Sequence, residues 1–500
     1  VDRILLQKKN EAMLLIGCDN GIAMELSEYF SFFVPGYKYM PLYRNKVWDG
    51  KVRLFNPANY ELPVGLLPYV KEFAEKRDYA VEYEDGPFGP PESFNKIDVK
   101  DIMDFIKSLN IHSKGNLIEV RDYQFNAICE SIRKKRAILL SPTGSGKSLI
   151  IYVLMRWYMA NHDEKVLVIV PTTSLVQQML SDFDDYSSHD DSFSKDECHA
   201  IFSGQAKMNI SENVFISTWQ SIYKLPMTWF SQFGVIFGDE VHGFKSKSLS
   251  NIMNKAKTTV YRFGTTGTLD GTQTHKLVLE GLFGKVMKVT TTKALQDKET
   301  LAALDIFILR LEHADDVRQL ISGSTYQQEI NFIIGNEKRN HFIRNLALDQ
   351  KGNSLVLFQF VEKHGKILYD LIQSKADINR KVFFVSGATE ATDREAIRKI
   401  TEKQKDAIIV ASLGTFSTGI NIRNLHNIIF ASPSKSQIKV LQSIGRGLRK
   451  SDNGVTTKLY DISDDIQHKS KKNYTLLHSE ERIKIYKREQ FNFKIYKIKV

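Results

Sequence analysis

The chain of 500 residues is too long for one compact core, and its 42% hydrophobic and 25% charged content is ordinary for a globular protein of two to four domains. Its 69 Lys and Arg against 58 Asp and Glu leave a formal charge of +11, which favours a polyanionic partner. No apolar run approaches the ~18 residues of a membrane span, and the widely spaced Cys18, Cys129 and Cys198, without any CxxC, support neither a disulfide framework nor a zinc site.

In chain order, residues 1–90 mix short β-like runs with aromatics, as in FFVPGYKYMPLYRNKVWDGKVRLF, and read as a small α+β domain. The opening residues lack the long apolar stretch of a secretory leader, so a cytoplasmic location is expected. Gly and Pro at the density of EDGPFGPPES, Glu84 to Ser93, continue neither a helix nor a central strand, which makes this segment the linker. Over 91–285, apolar runs of strand length alternate with helix-like segments: AILLS (137–141), KVLVIVP (165–171), VFIST (214–218), GVIFGDE (234–240) and YRFGTTGT (261–268). Over 286–465 a second series follows: SLVLFQ (354–359), VFFVSG (382–387), DAIIVAS (406–412), NIIFAS (427–432) and KLYDIS (458–463). Strand and helix in alternation predict two tandem α/β domains with parallel sheets. Residues 466–500 are expected to be a short helical region; from Asp465 onward ten Lys and Arg face four Asp and Glu, a local excess of +6.

The stretch ILLSPTGSGKSLI, Ile138 to Ile150, has the strand, Gly-rich turn and helix that a phosphate-binding loop needs. Pro142, Thr143, Gly144, Ser145 and Gly146 form the turn, whose glycines let backbone N–H groups point at an anion beside a helix N-terminus. Lys147 would reach the β- and γ-phosphates of ATP, and Ser148 would ligate Mg2+. The strict GxxxxGK[ST] pattern wants Gly where this chain has Ser141. Downstream, VIFGDEVH puts Asp239 at a strand end, where it can hold Mg2+ through water, and Glu240 where it can polarise the attacking water.

This set resembles a superfamily-2 helicase, with SPTGSGKS as motif I and DEVH as motif II. RDYQ resembles the Q-motif, implying that Gln124 reads adenine with Arg121 and Tyr123 beside it. PTTSLVQQ, STWQS and TTGT stand in the order of motifs Ia, Ic and III. ASLGTFSTGIN resembles motif V, implying a nucleotide contact at Gly419 and a ribose contact at Asn421. QSIGRGLRK matches motif VI, implying that Gln442 orients water and that Arg446 and Arg449 act as arginine fingers, being permanently charged forks suited to phosphate oxygens. The resemblance implies two RecA-like domains flanked by the N-terminal α+β domain and the basic C-terminal region. It also implies ATP and Mg2+ as cofactors.

Thr172, Thr218, Thr266 and Thr415 follow predicted strand ends, and with Gln220 they can grip a sugar–phosphate backbone without reading bases. His242 is a candidate relay between motif II and Thr266 or Thr268. Within the superfamily the likeness is to phage recombination helicases that remodel branched DNA, carried by YRNKVWDGKVRL, WFSQFG, TYQQEI and IGRGLRK. It implies a monomeric motor in the host cytoplasm, acting on branched or duplex DNA, with RNA–DNA hybrids a further substrate and no membrane partner. A duplex translocase without strand separation and an RNA helicase stay open as alternatives. Lys46, Lys51 and Arg53, interleaved with aromatics, are the candidate DNA contacts of the N-terminal domain.

Overall fold

The computed structural model describes residues 2–202, 207–208, 210–243, 246–269, 273–291, 294–295, 304–415, 425–432, 456–469, 472–488 and 490–500. The chain divides into two compact units, Val1–Ser141 with Gly146–Val289, and Pro142–Ser145 with Thr290–Val500.

The first unit begins with strands β1 (Arg3–Lys8), β2 (Met13–Gly17), β3 (Ser31–Phe33), β4 (Lys51–Arg53), β5 (Glu61–Pro63) and β6 (Ala80–Glu84). Four of them make a mixed sheet in the order β5-β2-β1-β6, and β3 and β4 pair separately as an antiparallel hairpin. Period-2 alternation turns Ile4, Leu6, Leu14 and Ile16 inward against the apolar faces of helices Asn20–Tyr29 and Leu67–Glu75. This small domain is fastened to the remainder of the first unit. Tyr69 donates to Glu280 at 2.5 Å, Arg136 Nη2 donates to the Glu11 carbonyl at 2.7 Å, and the Glu11 amide donates to Lys257 O at 2.8 Å. Gly65 comes so near the helix Gln273–Phe283 that a Cβ there would lie 1.9 Å from Glu280 O, so only glycine fits.

A two-rung ladder of β7 (His112–Ser113) and β8 (Asn116–Leu117) precedes the first large sheet. That sheet comprises β9 (Arg136–Leu140), β10 (Lys165–Val170), β11 (Cys198–Ile201), β12 (Val214–Thr218), β13 (Phe233–Gly238), β14 (Tyr261–Thr266) and β15 (Val286–Lys288). Every pairing is parallel and the order is β11-β12-β10-β13-β14-β9-β15. Runs such as VLVIV in β10 are buried throughout because helices cover both faces. β15 pairs with β9, so the first sheet extends past the boundary expected at residue 285.

The second unit repeats the plan with β16 (Leu304–Glu312), β17 (Ser354–Phe358), β18 (Val382–Val385), β19 (Ile408–Ser412), β20 (Asn427–Phe430), β21 (Thr457–Asp465) and β22 (Phe493–Lys499). All pairings are again parallel, in the order β18-β19-β17-β20-β21-β16-β22. The fold is therefore two tandem RecA-like sheets behind an α+β domain. The C-terminal region is not helical alone: after helix Tyr474–Arg488 the chain returns as β22, a largely exposed strand whose Lys494, Lys497 and Lys499 suit a sheet edge. Among the described residues, no helix is long and apolar enough to cross a membrane.

Candidate nucleotide site and nucleic-acid contacts

The site lies where three neighbouring parallel strands, β9, β14 and β13, end together, the usual ligand position in such sheets. After β9, Ser141 is pinned by donating its amide to Thr266 O at 2.8 Å. Gly144 and Gly146 adopt φ of 85° and 81°, and the Ser145 hydroxyl and amide both donate to Pro142 O, at 2.7 and 3.2 Å. Gly146 then starts the helix Lys147–Asn161. A side chain at Gly146 would put its Cβ 2.3 Å from the Gln124 amide nitrogen, so the loop and the Q-motif residue abut. Gln124 is buried and accepts the Arg121 backbone N–H at 2.9 Å in a capping box, while the Arg121 guanidinium donates to Tyr123 Oη at 2.9 Å.

Lys147 Nζ lies 3.0 Å from Glu240 Oε1 and 3.5 Å from the Ser141 carbonyl it donates to. Asp239 continues the line of β13, its amide donating to Ile169 O at 2.8 Å, and Glu240 then turns into the left-handed region at φ 51°. A non-glycine residue there is uncommon and marks a turn whose side chain is aimed by the fold. Close packing makes that turn possible, since a Cβ on Gly238 would lie 2.7 Å from Val241. Asp239 Oδ1 accepts the Thr265 hydroxyl at 2.5 Å and the Glu240 amide at 3.0 Å. Burial, reinforced by the neighbouring Glu240 charge, pushes the Asp239 carboxyl up to about 6, although Lys147 and the Thr265 bond pull the other way. His242 Nδ1 is 2.6 Å from Thr266 Oγ1 and 3.4 Å from Glu240 Oε2, so the relay suggested for His242 runs through Thr266.

The structure thus brings Gln124, Gly146, Lys147, Asp239, Glu240, His242 and Thr266 together within the first unit. Ser148 starts on the same helix, its hydroxyl 3.0 Å from Tyr186 Oη. Two participants escaped the sequence. Tyr186 carries no motif signal, whereas Thr265 could have been found by asking which residue of the TTGT pair shares a face with motif II.

The threonines expected on a phosphate backbone fare differently. Thr266 is fully buried, and its hydroxyl serves His242 and the Thr268 carbonyl, to which it donates at 2.7 Å, so it cannot reach a phosphate in this structure. Thr218 and Thr415 are buried beside Ser221 and Ser412, at 2.9 and 2.7 Å. Thr172 caps helix Thr173–Tyr186 by accepting the Leu175 amide at 3.4 Å, and exposed Gln220 donates to Pro171 O at 3.3 Å, which joins the ends of β10 and β12. In the N-terminal domain Lys46 is exposed, Lys51 Nζ sits 5.0 Å from the centre of the Phe33 ring, and Arg53 is paired with Asp49, which offsets its charge locally. Gly419, Asn421, Gln442, Arg446 and Arg449 lie outside the described residues.

Three family descriptions match the chain in order: "DNA helicase UvsW, N-terminal" over residues 4–84, "Type III restriction enzyme, res subunit" over 117–271, and "Helicase conserved C-terminal domain" over 337–451. The ATP-dependent DNA helicase uvsW of Enterobacteria phage T4 is 37% identical over 494 residues, covering 96% of both chains. The chain belongs to the UvsW family of superfamily-2 helicases. A crystal structure of T4 UvsW aligns over 99% of each chain at 34% identity with a TM-score of 0.53. More distantly, the DNA 3'-5' translocase XPB2 of Sulfurisphaera tokodaii is 23% identical over 67% of this chain and 80% of its own. For this UvsW-family chain, the order of motifs read from the sequence is therefore that of a helicase.

Proposed function

We propose that the protein is an ATP-dependent DNA helicase that remodels branched nucleic acid, by junction branch migration, fork regression and unwinding of R-loops or D-loops, in phage recombination, repair and replication. The observation that carries the ATPase half is the 3.0 Å Lys147–Glu240 pair at the mouth of a loop built on Gly144 and Gly146. A cation and a carboxylate that neutralise one another at a glycine-lined helix start are poised to separate around a phosphate. Lys147 would hold the β- and γ-phosphates, Glu240 would take a proton from the attacking water, and Gln124 would meet the adenine. Ser148 and the buried Asp239 are a hydroxyl and carboxylate pair of the kind that suits Mg2+, which when bound supplies positive charge to the phosphate oxygens. By the family pattern Gly419 and Asn421 contact the nucleotide, Gln442 orients water, and Arg446 and Arg449 stabilise the transferring phosphoryl group, which couples turnover to motion of the second domain.

The DNA half rests on family membership and on the basic N-terminal surface. Thr172, Gln220 and the backbone around Thr218 and Thr415 would track phosphates, with Lys46 and Lys51 adding duplex grip and Arg53 joining only where phosphate displaces Asp49. The working form is a monomer in the host cytoplasm, and RNA–DNA hybrids count among its substrates.

A paired substitution tests this. Lys147→Ala should lose ATP binding, whereas Glu240→Gln should bind ATP and turn it over about 10³-fold more slowly. Near-normal DNA-stimulated hydrolysis by either variant would falsify the assignment.

A further inference from the structure

We propose that the segment Tyr37–Val47 is a strand-separating wedge, an apolar tip inside a basic collar that enters the branch point of DNA. The proposal rests on the nucleic-acid reading above and adds to it a part that opens base pairs rather than gripping phosphates. Within nine residues Tyr39, Leu42 and Val47 are 78%, 58% and 73% exposed, with Met40 between them. So much apolar surface on one short excursion is unusual for a monomer and marks a contact site.

The tip is held stiffly. Tyr37 is the pivot, stacked on Phe33 at 4.6 Å and edge-on to Tyr43 at 4.8 Å. Gly50, at φ 83°, backs the Tyr37 ring so closely that a Cβ there would lie 2.3 Å from it. The Val47 amide donates to Leu42 O at 2.9 Å, and the Val34 amide to Gly50 O at 2.8 Å. The indole of Trp48, one of the aromatics interleaved with Lys46, Lys51 and Arg53, donates to Lys51 O at 2.8 Å and serves as a strut. Rigid support lets an exposed apolar group push between bases instead of folding back.

Charge names the occupant. From Phe33 to Arg53 the chain carries Lys38, Arg44, Lys46, Lys51 and Arg53 against the single carboxylate of Asp49, which Arg53 already engages. A cationic collar calls for a polyanion, and an apolar tip calls for stacked rings; a DNA junction, where stacking is already weakened, offers both.

The test is a Leu42→Ser/Val47→Ser double variant of the full chain, chosen because both side chains are exposed and the thermal melt should be unchanged. On a synthetic fork with 2-aminopurine at the branch point and no nucleotide, the wild type should raise the emission, and the variant at equal saturation should not. With ATP, the variant should open forks at least 10-fold more slowly while its single-strand-stimulated ATP hydrolysis stays within twofold of wild type. A Lys38→Ala/Arg44→Ala/Lys46→Ala variant should differ from it, losing fork affinity and flattening the salt slope. Wild-type emission and fork opening by the double variant would overturn the wedge while leaving the motor intact, as would a change in oligomeric state without a change in fork opening. Absence of DNA-stimulated hydrolysis in the wild type would overturn the motor reading instead, and the nucleotide-free emission would still judge the wedge.

Discussion

In the second unit Asp464 is fully buried, accepts Arg339 Nε at 2.8 and 3.0 Å, and lies 3.1 Å from His313 Nε2. Burial alone would raise its carboxyl, but the Arg339 guanidinium and His313 outweigh it and hold the group below the ordinary carboxylate range. Nearby, Asp461 accepts Arg482 at 2.6 and 2.8 Å and Tyr486 at 2.7 Å, while buried Glu329 accepts the Thr475 and Tyr474 amides at 2.7 and 2.9 Å. In the first unit Asp239, also buried, has among the described residues a hydroxyl and an amide as its close donors and is pushed up to about 6. The same fold thus contains carboxylates satisfied by arginine, Asp464 by Arg339 of helix Glu337–Asp349 and Asp461 by Arg482 of helix Tyr474–Arg488, and a carboxylate, Asp239, whose nearest donors are neutral. A shortage of that kind is what a cation site requires before its ligand arrives.

Arg482→Ala leaves Asp461 buried without its cation and should destabilise the second unit by about 3–5 kcal/mol, read as a lower melting temperature with ATP affinity unchanged. A melt within a degree of wild type would deny that this pair is structural. On the functional side, Asp239→Asn should cut DNA-stimulated turnover about 10²–10³-fold yet melt no earlier than wild type at neutral pH, because it removes a disfavoured charge. Early melting would class Asp239 with Asp464.

Since the folded-state carboxyl of Asp239 is raised from 3.8 to about 6, its contribution to stability is full below pH ~4 and lost as pH rises through 6. The ligand-free melting temperature should decline across that window, Asp239→Asn should flatten the decline, and Mg-ATP affinity should weaken as pH falls through the same range. The smallest effect belongs to Ser141→Gly, which restores the strict loop pattern. Ser141 contributes its backbone amide and carbonyl to the site, so the change should cost about 0.5–1 kcal/mol of stability and leave nucleotide affinity within twofold.

Much of the fold is legible in the residues. β10, β12, β17 and β20 fall within a residue or two of the apolar runs that announce them, because strands buried on both faces need unbroken hydrophobic sequence. β16 is broken by Asp305, Arg310 and Glu312, which are tolerated because they fall at its exposed and half-buried positions while Leu304, Ile306, Ile308 and Leu311 are buried. β22 hides for the opposite reason, its lysines reading as a solvated tail. In the site, charged residues with fixed spacing are visible, whereas Thr265 and Tyr186 depend on register and helix packing that no local pattern encodes.

β16 carries a consequence for synthesis on the ribosome. Both of its neighbours come from the far end of the chain, so it emerges with nothing to pair with until β21 appears roughly 150 residues later. At about 5–20 residues per second that is a wait of roughly 10–30 s, during which an apolar strand has two open edges. Nascent second units should therefore recruit holding chaperones throughout this interval, whereas the first sheet, finished by residue 288, can close while the second is still being made.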